Sequence, residues 1–197
     1  MSNIIADEVT ISNSAKVESS TLKYYSRLKD YTELYNSTLG EYSYISQYSI
    51  VNKSIIGKFC SIANGCYIGL WEHNIEVSTH SFYLYEHSGN FVKGYKNYDK
   101  DNIETTIGND VWIGANVVIK KEVLLYLMGL LLVLVPWLQK IYLLMLLLSE
   151  ILLELLNIDI KWLLDIKWWD FLRDKLKEII EQNGFNNFEL FKKLLQN

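Results

Sequence analysis

A chain of 197 residues, half of them apolar, fits one domain with a sizeable core and room for an appendage. A formal charge of -4 and a pI near 5.4, with Lys and Arg scattered along the chain, argue against a nucleic-acid surface. The opening MSNIIADEVT lacks the charged and apolar regions of a secretory signal, so a cytoplasmic address is expected, and two cysteines are too few for a disulfide framework.

The first forty residues match a repeat only loosely: Ile11 and Val17 stand six apart, but YYSRLKDYTELYNS shows no clear phase. From Ile50 onward a period of six is plain. Ile50, Ile56, Ile62 and Ile68 are evenly spaced, and the last three are followed by Gly57, Ala63 and Gly69. The pattern returns with Ile107, Ile113 and Ile119, and a small or β-branched residue (Cys60, Cys66, Val111, Val117) stands two positions before an aliphatic. A helix does not repeat at six, nor does an alternating strand. A triangular coil does, with one inward aliphatic per face and small residues or glycine easing the corners. A sandwich of hairpins would repeat at about 8 to 12 residues and fits less well.

Between the two repeat blocks, Leu70 to Thr106 leaves the phase and carries all three histidines. A long excursion from a rigid scaffold is where a site is expected. His73, His80 and His87 recur at seven-residue intervals, unlike the spacing of four that puts two ligands on one helix face, and no metal site is expected. Cys60 and Cys66 read as small buried side chains.

The segments GKFCSIANGCYIG, EHNIEVSTHSFY and IGNDVWIGANVVI together resemble the hexapeptide-repeat acyltransferases, in the branch of xenobiotic and sugar O-acetyltransferases. The resemblance covers about Tyr42 to Val123, and LLDIKWWDF is similar to that branch's tail. It implies a mainly β fold, a left-handed parallel β-helix with the loop excursion and C-terminal α-helices. It also implies acetyl-CoA as co-substrate, a small-molecule hydroxyl acceptor, and a homotrimer with the cofactor in the cleft between subunits. Carried onto this chain, it makes His73 the general base, a role for which imidazole has the right pKa. Ser78, Thr79 and His80 fall at substrate-binding positions, with His80 second choice for the base. Trp112, Gly114 and Ala115 fall at cofactor-binding positions.

Leu124 to Leu156 is nearly pure leucine and departs from the repeat. A narrow prism accepts one aliphatic per face, so this block is expected to be helical or disordered rather than β-helical over 124–160. Read from the third base of each printed codon, with synonymous codons chosen, the same bases can encode another coil on the six-residue phase and the family's Asn-Pro-Ala exit segment. Some junctions leave little freedom: Met128-Gly129 forces a glycine, and Leu132-Val133 allows only Gly, Cys, Arg or Ser. An out-of-frame segment opening near Val123 and closing between Ile158 and Trp162 accounts for the block. A membrane anchor over 124–156 is the alternative; Pro136, Gln139 and Lys140 interrupt it short of the roughly twenty residues a bilayer requires.

The tail returns to helix spacing, with a stripe of Leu172, Leu176, Ile179 and Ile180 stopped by Asn183-Gly184, then a second helix carrying Phe188, Phe191, Leu194 and Leu195. Trp168 and Trp169 are expected to anchor this tail against the coil. The chain thus divides into a coil with its 70–106 loop over 1–123, the apolar block over 124–160 and a helical tail over 161–197. Three readings follow: an O-acetyltransferase, an inactive β-helix fragment with its last coil destroyed, and a membrane-anchored protein. Resequencing the codons from Glu122 to Trp168 is expected to show one base gained and one lost at the two junctions; an unchanged frame would mean the leucine block is real.

Overall fold

The computed structural model describes residues 2–70, 80, 82, 85–89, 93, 104–120, 124–125, 160–182 and 184–196. They fall into two compact units, Met1–Gln139 and Lys140–Asn197. The first is a left-handed parallel β-helix with three short strands to each turn. Its first turn is β1 (Ile4–Ile5), β2 (Thr10–Ile11) and β3 (Lys16–Glu18), and its second β4 (Thr21–Leu22), β5 (Arg27–Leu28) and β6 (Glu33–Tyr35). The third is β7 (Thr38–Leu39), β8 (Tyr44–Ile45) and β9 (Ile50–Asn52), and the fourth β10 (Ser54–Ile56), β11 (Ser61–Ile62) and β12 (Tyr67–Leu70). The fifth is β13 (Thr105–Ile107), β14 (Trp112–Ile113) and β15 (Val118–Lys120), and β16 (Leu124–Leu125) opens a sixth. Every third strand pairs in parallel, giving sheets β1-β4-β7-β10-β13-β16, β2-β5-β8-β11-β14 and β3-β6-β9-β12-β15.

Each strand from β4 to β15 sends one aliphatic inward. Leu22, Leu28, Leu34, Leu39, Ile45, Val51, Ile56, Ile62, Ile68, Ile107, Ile113 and Ile119 form three buried columns along the axis. Two expectations change here. Ile50 is half-exposed and Val51 takes the inward place, because the corner between the third and first sheets is one residue shorter than the others. Val51 precedes Ile56 by five, as Leu34 precedes Leu39 and Val17 precedes Leu22. One turn is therefore 17 residues long, as in the bond from the Ser54 N–H to Ser37 Oγ. The short corner also hides the phase around YYSRLKDYTELYNS, where Leu28 and Leu34 are inward and the coil already runs from Ile4.

The residue two before each aliphatic is buried too, and its polar atom links successive turns. The N–H groups of Ser37, Cys60 and Cys66 donate to Ser20 Oγ, Ser43 Oγ and Ser49 Oγ at 3.1, 2.8 and 3.0 Å. Ser43 Oγ and Ser49 Oγ donate in turn to the carbonyls of Gly57 and Ala63 at 2.7 and 3.0 Å. The buried hydroxyls of Ser20, Ser43 and Ser49 are thereby matched, which removes most of the cost of burying them, whereas Ser26 Oγ is buried without a partner.

Corners use left-handed backbone at non-glycine residues, among them Tyr25, Tyr42 and Phe59 at φ 57°, 60° and 58°. That conformation costs on the order of 1 kcal/mol per residue. It is offset at each corner by a bond to the turn below, such as the Phe59 N–H to the Glu41 carbonyl at 2.9 Å, and by ring stacking. Tyr25 stacks on Tyr42 at 5.1 Å and Tyr42 on Phe59 at 4.8 Å, and at the next corner Tyr31 stacks on Tyr48 at 5.2 Å.

Leu124 and Leu125 pair in register with Thr106 and Ile107, so the coil runs one strand into the leucine-rich block before residues 126–159, which lie outside the described set. Among the described residues no helix is long and apolar enough to cross a membrane.

The second unit holds α1 (Ile160–Ile166), α2 (Arg173–Glu181) and α3 (Phe188–Gln196). Leu176, Ile179 and Phe191 are buried with Trp168 and Trp169, and Trp168 packs edge-on against Phe185 at 5.1 Å. Leu172 and Ile180, expected in the apolar stripe, are exposed, because the buried face of α2 is only as wide as Leu176 and Ile179.

Gly57 tests the stacking of turns. A Cβ there would meet the Gly108 backbone carbonyl of the fifth turn. Gly57→Ala is expected to cost about 2 kcal/mol or more in urea unfolding, since backbone cannot step aside as a side chain can; an unchanged midpoint would refute this packing.

Candidate active site

The excursion leaves the coil at one defined corner. After Ile68 turns inward, Gly69 adopts φ 76° and the register slips, so that Leu70 rather than Gly69 pairs with Lys120. A Cβ on Gly69 would collide with the Asn52 carbonyl directly beneath. Glycine is thus required where the chain peels away, on grounds of both space and dihedral. The chain rejoins at Thr105, whose N–H donates to the Lys53 carbonyl at 3.1 Å and whose hydroxyl donates to the Lys120 carbonyl at 3.4 Å. Departure and return share the corner between the third and first sheets, the short corner of the earlier turns.

His73, three residues beyond Leu70, lies outside the described residues, as do Ser78 and Thr79. His80 is described and exposed, and its Nδ1 accepts the Phe82 N–H at 3.1 Å. Further along, Glu86–Ser88 form a single 3-10 turn, with the Tyr85 and His87 rings 5.3 Å apart.

The fifth turn carries the other candidates. Trp112 opens β14 on the outer face of the second sheet and is half-exposed, with Ser61 directly opposite on β11. Gly114 is buried and Ala115 exposed at the following corner. The Cys66 thiol donates to the Gly114 carbonyl at 3.1 Å, fixing this corner from inside the coil. Trp112, Gly114 and Ala115 are thus brought together on one strand and its exit, at a different corner from the one where the excursion leaves.

Both thiols are part of the core. Burial pushes Cys60 up to about 11, and burial likewise raises Cys66. The Cys60 thiol donates to the Gly108 carbonyl at 3.0 Å. Neither is poised as a nucleophile, which requires an accessible thiol of lowered pKa.

Asp110 escaped the sequence reading. It occupies the left-handed corner position (φ 54°) that Tyr25, Tyr42 and Phe59 occupy in the turns below. The signal was present in the printed residues: an acid stands in a column of aromatics. Its N–H donates to the Lys58 carbonyl at 2.8 Å, and burial raises its carboxyl to about 6. Among the described residues no group of three or more His, Cys, Asp or Glu could hold a metal ion.

Residues 1–87 match the family described as GlmU-like, C-terminal hexapeptide. No curated protein matches the chain. The match and the observed coil together support a hexapeptide-repeat β-helix family, a repeat domain typical of acyl- and acetyltransferases.

Asp110 gives a pH test. Its native carboxyl holds a proton to a higher pH than an unfolded aspartate does, so the native state binds more protons between about pH 4 and 6 and stability falls as pH rises through that window. Asp110→Asn is expected to melt higher at pH 7 and to flatten the pH dependence between about 4 and 6. Parallel curves for the two proteins would show that the carboxyl is not desolvated.

Proposed function

We propose that the chain is an acetyl-CoA-dependent O-acetyltransferase of the xenobiotic and sugar branch, with His73 as general base. The observation that carries this reading is the join between coil and excursion. A hexapeptide coil is interrupted once among the described turns, the interruption carries His73 within EHNIEVSTHSF, and the chain then re-enters the coil through IGNDVWIGAN.

The acceptor hydroxyl oxygen attacks the thioester carbonyl carbon directly while the His73 imidazole takes its proton. Backbone N–H groups stabilise the tetrahedral oxyanion. Collapse breaks the carbon–sulfur bond, and the departing CoA thiolate receives the proton from the imidazolium. No acyl-enzyme is needed, in keeping with two buried thiols of raised pKa. His80 would contact the acceptor, with Ser78 and Thr79 beside it. Acetyl-CoA would run past Trp112 and the Gly114–Ala115 corner, in a cleft completed by a second subunit of a trimer. The family's Asn-Pro-Ala exit segment is encoded only in the alternative frame, so the printed chain should hold CoA more weakly than a chain that has it.

His73→Ala is expected to lower acetyl-CoA-dependent thiol release by about 10²- to 10⁴-fold while the far-ultraviolet spectrum stays unchanged. Release that survives the substitution would remove the proposal.

A further inference from the structure

The outer face of the second sheet carries a feature that neither the repeat nor the proposed chemistry requires. Register places Arg27, Tyr44, Ser61 and Trp112 in one column on successive turns. The Arg27 guanidinium lies 5.8 Å from the centre of the Tyr44 ring and the Lys29 ammonium 5.9 Å. Both cations come from the turn before Tyr44, so they cover the ring on that side and leave its other side toward the Ser61 rung. Among the described residues neither Arg27 nor Lys29 has an acidic partner, on a chain whose net charge is -4.

Elsewhere the coil shows how rings on successive turns behave: they stack, at 4.8 to 5.2 Å. In this column the rung between Tyr44 and Trp112 holds only Ser61. Successive rungs are about 4.8 Å apart, so Tyr44 and Trp112 are spaced for one ring between them. A saccharide ring, thicker than an aromatic one by its axial hydrogens, has an apolar face for each neighbour and hydroxyls for Ser61 Oγ. The two cations beneath Tyr44 would meet a negative charge on an adjoining sugar.

We propose that this column, Arg27 and Lys29 with Tyr44, Ser61 and Trp112, binds an acidic oligosaccharide, one ring at the Ser61 rung and a carboxylate of the next sugar at the two cations. The proposal rests on the acetyl-transfer reading and extends it to the class of its acceptor: Trp112 would meet the sugar on the side toward Ser61 and acetyl-CoA on the side toward the Gly114–Ala115 corner, so that both can be bound at once. Binding is measured without acetyl-CoA or turnover, so it can fail while His73-dependent release survives, or survive when that release fails.

The test is titration of the full chain with trigalacturonate and, separately, with neutral maltotriose, followed by nuclear magnetic resonance of the backbone amides. Saturable binding of trigalacturonate is expected, with shifts centred on Ser61 and at least about tenfold weaker binding of maltotriose. Trp112→Ala should weaken it about tenfold, and Arg27→Gln combined with Lys29→Gln should reduce it to the level of maltotriose. These side chains are exposed or half-exposed, and Trp112→Phe, which should retain most of the binding, guards against a folding defect. Equal binding of the two sugars, indifference to Trp112→Ala, or displacement of trigalacturonate by CoA would each overturn the proposal.

Discussion

Everything in the first unit depends on one constraint: each turn must lie in register on the one below. The sheets run along the axis, so no strand is hydrogen-bonded within its own turn, and a turn alone has no core. Register supplies both. It aligns the inward aliphatics into columns with Leu22, Leu39, Ile56 and Ile107 in one and Leu34, Val51, Ile68 and Ile119 in another. It also brings corner N–H groups against carbonyls of the preceding turn, as from Tyr42 to Tyr24 and from Asp110 to Lys58. Stability of such a solenoid is a sum over neighbouring interfaces, so a defect at one interface is felt by every turn beyond it.

The same constraint explains where a long insertion is tolerated. Between the fourth and fifth turns the paired residues are 51 apart, as in Ser61 and Trp112, and all three sheets keep this pairing up to the slip at Leu70. The excursion begins and ends at one corner, so its two ends are already adjacent and the entropy of closing it grows only slowly with length. A departure in the middle of a strand would have broken a column. Gly69, which alone lets the chain turn away over the Asn52 carbonyl, is therefore as much a part of the candidate site as the histidine that follows it.

Much of this was legible in the sequence, and what was hidden has a physical reason. The period of six between Ile56 and Ile68, and from Ile107 to Ile119, revealed the coil because those stretches cross only full-length corners. The earlier turns obey the same geometry, but a corner shortened by one residue shifts the phase between Leu34 and Leu39 and conceals it. The inner partners were read correctly at Cys60 and Cys66 because cysteine looks like a core residue. Ser43 and Ser49 take the same inward place yet look like surface residues, and only the bonds between turns show why serine can be buried there. His73 was singled out by motif and not by periodicity, since a loop has no period, and it lies outside the described residues. Asp110 needed the column of aromatics beneath it before its position meant anything.

The inner polar column also changes along the axis, and that change bears on the site. At the position of Ser26 and Ser43 the next turns have Cys60 and Val111, and at that of Thr32 and Ser49 they have Cys66 and Val117. The hydroxyls of Ser43 and Ser49, which bond to the turn above, give way to thiols that bond to Gly108 and Gly114, and then to valines whose side chains make no such bond. Toward the fifth turn the coil thus exchanges directional bonds for apolar packing. Leu125, six residues after Ile119, pairs in register with Ile107, and the strand at Leu124–Leu125 forms. What the printed block cannot supply is the corner. The earlier turns fold through Ser, Asn, Asp, Lys, Gly and stacked Tyr, whereas from Leu125 to Val135 it offers one glycine among aliphatics, with Tyr126 and Met128. Leucine at corner positions would place apolar surface in water with nothing to cover it.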